Sequence, residues 1–148
     1  MPIDDEAGLE AIVRAARVVA VLGMKDESRS PEPAVRIPAM LVERGIEVIP
    51  VNPTIESSLG RRAHARLADV PVAFDLVDVF RRSDRIPAIA EEILALPPER
   101  RPRVVWLQTG IRHDAAAARL EAAGITVVQD ECLGVLAARW LPRRVGGE

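Results

Sequence analysis

The stretch VVAVLGMKDESRSPEPAV, Val18 to Val35, decides how this chain is read. Five apolar residues run into Gly23, as a buried strand runs into a tight turn at a sheet edge. A dinucleotide-binding turn would continue with two more glycines, so that backbone amides close on a pyrophosphate. Here Met24, Lys25, Asp26, Glu27 and Ser28 follow instead, and then a proline-broken segment. Two readings stand at this point. The segment is a plain connection between strand and helix. Alternatively, amides near Gly23 and Met24, with Ser28, Arg29 or Ser30, meet a phosphate in front of the next helix, whose dipole favours an anion there.

Working outward, β-rich runs alternate with helix-like ones, the pattern of a parallel α/β sheet. The reading predicts helices over Asp4–Ala16, Glu32–Gly45, Ser83–Leu96, His113–Gly124 and Glu131–Leu141, and strands over Val18–Gly23, Ile46–Pro53, Phe74–Phe80, Arg103–Gly110 and Ile125–Asp130. Pro38 should strain or kink its helix. Ser83 or Asp84 should cap the next one. Thr54–Pro71 is polar, with one short helix expected near Ala65–Ala68, and the tail from Pro142 should fray. Most of the strands are near-continuous apolar runs, as expected when helices cover both faces. The expected fold is a doubly wound, five-stranded parallel sheet, Rossmann-like, in one domain over residues 1–148, with ligands at the carboxyl ends of the strands.

Composition narrows the function classes. The chain has 148 residues, 49% of them hydrophobic and 28% charged, which are globular values. A net charge of −2 gives no support for nucleic-acid binding. No apolar run approaches the ~20 residues that span a bilayer, and MPIDDEAGLEAIV lacks the basic start of a secretory signal. A cytoplasmic protein without membrane contact is therefore expected. The single cysteine, Cys132, excludes an internal disulfide and is better explained as a small hydrophobe than as a nucleophile. Of the basic residues only Lys25 is lysine.

Each expected strand end then carries a chemical clue. The second ends in Val51, Asn52 and Pro53, where an NAD site would place a carboxylate for the ribose hydroxyls. An uncharged turn counts against NAD and is compatible with a phosphorylated ribose. The third ends in Phe80, Arg81 and Arg82. Guanidinium groups offer paired donors to phosphate oxygens, and cations at a helix start oppose its dipole, which hints at an anionic partner. The fourth ends in Gln108, Thr109 and Gly110, while Trp106 reads as core. His64 and His113 have no paired ligand spacing, so no metal is expected. No nucleophile–base set can be assembled, and no enzyme activity is assigned.

Taken together, VVAVLGMKDESRSPEPAVRIPAMLVERGIEVIPVNP, FDLVDVFRR and VVWLQTGIRHDAAAARLEAAGITVVQDECLG, spread over Val18–Trp140, resemble the small stand-alone CoA-binding proteins. That family is similar to the N-terminal domain of the succinyl-CoA synthetase alpha subunit and of NDP-forming acyl-CoA synthetases. The resemblance implies coenzyme A as the ligand. Gly23, Lys25, Ser28, Arg29 and Ser30 would meet the phosphates. Val51, Asn52 and Pro53 would line the nucleotide. Phe80, Arg81 and Arg82 would flank the adenine or diphosphate, and Gln108, Thr109 and Gly110 would border the pantetheine. The synthetases' first loop is richer in glycine than this one. Their second domain, with its phosphorylated histidine, has no counterpart in these residues. The expectation is a module that binds CoA or an acyl-CoA without catalysis by this chain alone. An NAD(P)-binding redox-sensor or oxidoreductase and the CoA-binding subunit of a split acyl-CoA synthetase are the alternatives. Acyl group and protein partners are not specified.

Overall fold

A computed structural model describes residues 5–144. Helix α1 (Glu6–Ala15) is capped by Asp5, whose carboxylate accepts from the Gly8 amide at 2.7 Å. The chain continues through β1 (Val18–Leu22), α2 (Pro33–Glu43) and β2 (Glu47–Val51). A small hairpin, β3 (Ser57–Ser58) and β4 (Arg61–Arg62), follows. The second half comprises β5 (Leu76–Val79), α3 (Ile86–Leu94), β6 (Val104–Leu107), α4 (Asp114–Ala122), β7 (Thr126–Val128) and α5 (Leu133–Trp140). Five strands form one parallel sheet in the order β2-β1-β5-β6-β7. The doubly wound fold is thus as expected.

Alternation along each strand divides the core into two layers. Ala20, Leu22, Val77, Val79, Val105 and Leu107 pack with α3 and α4. Val19, Val21, Leu76, Trp106 and Val128 pack with α1, α2 and α5. Both faces are covered, which explains the unbroken apolar runs. The chain winds outward in opposite directions from the β1–β5 pair. That pair is the switch point, and the crevice above its carboxyl ends is where such folds hold ligands.

Where strain or a kink was expected, Pro38 costs α2 one hydrogen bond, and other local expectations are corrected. Pro38 lies inside α2 without ending it. Its missing N–H frees the carbonyl of Ala34, which accepts from the Lys25 amide at 3.1 Å instead. The defect in the helix thereby becomes an anchor for the loop after β1. Residues 57–62 form a hairpin, not featureless loop, because Leu59 and Gly60 both adopt positive φ, 52° and 76°, the geometry of a two-residue turn. The short helix expected at Ala65–Ala68 is a 3₁₀ turn at Leu67–Asp69. Ser83 and Asp84 do not cap α3: they lie in a 3₁₀ turn, Ser83–Arg85, ahead of it, and no side chain caps the helix. The Ser83 hydroxyl instead accepts from the Arg112 amide at 3.0 Å. The strands are also shorter than expected, β5 by two residues at its start and one at its end.

Candidate functional site

Three connections meet above the switch point, and Gly23 locks them together. Its φ is +82°, and a Cβ there would overlap the carbonyl oxygen of Phe80. Its amide donates to Val51 at 2.9 Å, and the Phe80 amide donates to Leu22 at 2.8 Å. The close approach that the missing side chain permits is therefore to the neighbouring loop's backbone.

Asn52 fastens the same junction. It is 5% exposed. Its Nδ2 donates to the Met24 carbonyl at 2.9 Å, and its Oδ1 accepts from the Thr54 amide at 3.0 Å and hydroxyl at 2.8 Å. Three of the four bonds an amide can make are used, one to the loop after β1 and two within the loop after β2. Ser58 adds a second tie, its hydroxyl donating to the Lys25 carbonyl at 2.7 Å. Next to β2, the backbone of His64 donates to Pro50 at 3.0 Å and accepts from Asn52 at 2.9 Å, so this histidine extends the sheet edge.

The charged first loop is internally paired. Asp26 caps the turn Glu27–Arg29, accepting from the Ser28 amide at 3.0 Å and from the Ser28 hydroxyl. The Ser30 amide donates to Glu27 at 3.1 Å. Glu32 holds Lys25 at 3.4 Å and Arg29 at 2.9 Å. Desolvation pulls the Glu32 carboxyl up, but Arg29 and Lys25 outweigh it and leave it below its ordinary value.

The loop after β5 is different. Arg81 is half-buried beside Gly23, and neither it nor exposed Arg85 has an ion-pair partner among the described residues. Arg82 and Asp84 are 3.4 Å apart but largely exposed, a weak pair. These arginines line a cavity of about 460 Å³ with Pro53, Thr54, Ala88, Ile89 and Glu92. Thr54 is shared with a cavity of about 550 Å³ that reaches Asp26 and Ser28. Arg81 and Arg82 are shared with one of about 360 Å³ between Phe80 and Gly110. The three adjoin across the strand ends and are described together as the strand-end cleft. On the α3 side Ala88 and Ile89 are apolar and Glu92 stands beside them, and the guanidiniums of Arg81, Arg82 and Arg85 crown the cleft.

Below the cleft lies a buried pair. Gln108, 4% exposed, donates from Nε2 to Asp78 Oδ1 at 2.6 Å. Asp78 is fully buried and its Oδ2 has no partner. Burial pushes its carboxyl up to about 7, against the pull of the Gln108 bond. Farther along, Asp130 adopts φ +58° and accepts from the Gly110 amide at 2.6 Å, stitching the β6 and β7 loops together. Trp106 is core, as expected, with Nε1 donating to Glu131 at 2.9 Å. Cys132 is half-buried at the start of α5.

Of the residues singled out in the sequence, Ser28, Pro53, Phe80, Arg81, Arg82 and Gly110 line the cleft. Gly23, Val51, Asn52 and Gln108 are buried beneath it as its frame. Lys25, Arg29, Ser30 and Thr109 stand at strand-end loops outside these linings. Arg85, Ala88, Ile89 and Glu92 were missed. Their three- and four-residue spacing marks one helix face, a signal that was present in the sequence.

Comparison with known proteins agrees with this architecture. Residues 17–138 match the profile of a CoA binding domain. An uncharacterised Bacillus subtilis protein, YneT, is 35% identical over 130 residues, covering 88% of this chain and 92% of its own. A solved structure from Thermus thermophilus is 38% identical with a TM-score of 0.81, over 93% of this chain and all of that one. A Candidatus Korarchaeum cryptofilum acetyl-coenzyme A synthetase shares the fold at a TM-score of 0.65 and 19% identity, over 80% of this chain but only 26% of the synthetase.

Proposed function

The chain belongs to the CoA-binding domain family, and from that premise we propose that it binds coenzyme A or an acyl-CoA in the strand-end cleft, without turning it over by itself. The observation that carries this reading is the cleft lined by Arg81, Arg82 and Arg85 over an apolar wall of Pro53, Ala88 and Ile89. CoA presents an adenine face, a diphosphate and a ribose 3′-phosphate. An apolar wall suits the first, and guanidiniums suit the phosphates. The neutral, internally bonded Asn52 fits a phosphorylated ribose better than the carboxylate of an NAD site would.

The first loop takes a modified role here. Lys25 and Arg29 share Glu32 through partly exposed pairs and Ser28 is bonded to Asp26, so in this reading the first loop contributes mainly shape and backbone, and the β5 loop supplies most of the charge. Thermal unfolding in the presence of ligands tests this. CoA should raise the midpoint in proportion to the logarithm of its concentration, and the double variant Arg81→Ala/Arg85→Ala should largely lose the effect. Stabilisation by NADH with none by CoA would reassign the cleft to a dinucleotide. Release of free CoA from acetyl-CoA by the purified chain would contradict the non-catalytic part.

A further inference from the structure

A second basic site lies at the opposite, amino-terminal edge of the sheet. There the ends of α1, α2 and α5 converge on the residues preceding β1 and β2. A cavity of about 280 Å³ is lined by four arginines, Arg14, Arg17, Arg44 and Arg144, and, among the described residues, by no carboxylate. Strands of five residues separate it from the strand-end cleft, roughly 15 Å at the usual rise.

The arginines are held in place by the fold. Arg17 Nη1 donates to the carbonyls of Arg14 at 2.8 Å and Ala16 at 3.2 Å. The Arg144 amide donates to Glu43 at 2.7 Å. Its guanidinium lies over Gly45, where φ is +84° and a Cβ would overlap it. Arg44 closes the cavity. Its Nε and Nη1 are buried and have no acceptor among the described residues. A buried guanidinium nitrogen without a partner carries the full desolvation cost of its group.

Two neighbouring acids are committed elsewhere, and a third pairs with the cluster itself. Glu43 pairs with Arg143 at 3.1 Å. Asp75 accepts from the amides of Arg17 and Val18, at 3.1 and 3.2 Å. Glu10 pairs with Arg14 at 2.8 Å, but on the exposed helix surface, where such a pair is weak. The carbonyls at the helix ends account for gathering cations here. They do not account for the unfilled donors of Arg44, which point to an anion as the missing partner.

We propose that this arginine cluster is a phosphate-binding site, distinct from the strand-end cleft. Several guanidinium forks from separate elements can each grip a different oxygen of a tetrahedral anion, whereas a single fork suffices for a carboxylate. The test is an amide-resolved NMR titration of the whole chain with inorganic phosphate and, separately, with glycerol 3-phosphate, at constant ionic strength. Saturable shifts of the Arg17, Gly45 and Ile46 amides are expected. Arg44→Gln should weaken binding at least tenfold. So should Arg144→Ala, whose exposed position keeps folding out of the result. Tighter binding of the ester would mark an organic phosphate as the ligand, and tighter binding of the inorganic ion a free one. Shifts confined to the Gly23 and Phe80–Arg82 loops, no saturation, or undiminished affinity in both variants would overturn the proposal.

Discussion

Asn52 and Asp78 show how much of this site is held by single buried polar groups. Asn52 spends both ends of its amide on the junction of two loops, so Asn52→Ala removes three bonds and leaves the Met24 carbonyl unsatisfied. The expected loss is about 2–3 kcal/mol, read from urea unfolding. Asn52→Asp keeps the acceptor for Thr54 but sets a buried carboxylate oxygen against the Met24 carbonyl, and should lose at least as much. Asp78 makes a prediction about pH. Its carboxyl binds a proton more readily folded than unfolded, with a folded value of about 7 against an ordinary 3.8. Its contribution is therefore fully present below about pH 4 and is lost as the pH rises towards 7. Asp78→Asn should remove that slope. The variant's stability relative to the native chain should rise from pH 4 to pH 7 by up to roughly 4 kcal/mol, at 1.36 kcal/mol per pKa unit. A difference that stays flat across that range would show that Asp78 remains ionised throughout.

At the scale of elements, the sequence displayed the strands and helices and concealed the connections between them. The apolar runs of β1, β2, β5, β6 and β7 were readable because both sheet faces are buried, and Gly23 and Gly110 marked the ends of β1 and β6. Hairpin β3–β4 was not, because Leu59 takes a left-handed conformation that turn chemistry assigns to Gly, Asn or Asp. The pairing of Lys25 and Arg29 with Glu32 depends on the 3₁₀ turn that brings them round, which spacing alone does not indicate. Cleft-lining Arg81 and Arg82 were found because they follow a strand directly, and Arg85 and Glu92 were overlooked because they sit one and three turns later on the helical path. Pro38 is the clearest case of an element serving its neighbour. In Pro38→Ala, the new amide would compete with Lys25 for the Ala34 carbonyl. Helix propensity alone would favour alanine by about 3 kcal/mol. The Lys25 amide should nevertheless exchange with solvent several-fold faster, measurable by hydrogen exchange. Unchanged protection at Lys25 would mean that the loop is held by Asn52 and Ser58 without help from α2.

The whole molecule has two basic regions on a chain of net charge −2, one at each edge of its sheet. Weak overall charge and concentrated local charge are compatible because the acids of the first loop are consumed in pairing with Lys25 and Arg29, whereas Arg81 and Arg85 are not so neutralised. The family likeness covers residues 17–138 and so takes in the entire sheet. The synthetase that shares the fold is about four times as long as the matched region. In the proposed complex the arginine-lined cleft reads the phosphates of coenzyme A. Calorimetric titration of the native chain with CoA and with dephospho-CoA tests it most directly. A charge-assisted contact to the 3′-phosphate is worth about 1.5–3 kcal/mol, so CoA should bind at least tenfold more tightly than dephospho-CoA. Equal affinity for the two, or heat from neither, would contradict the account.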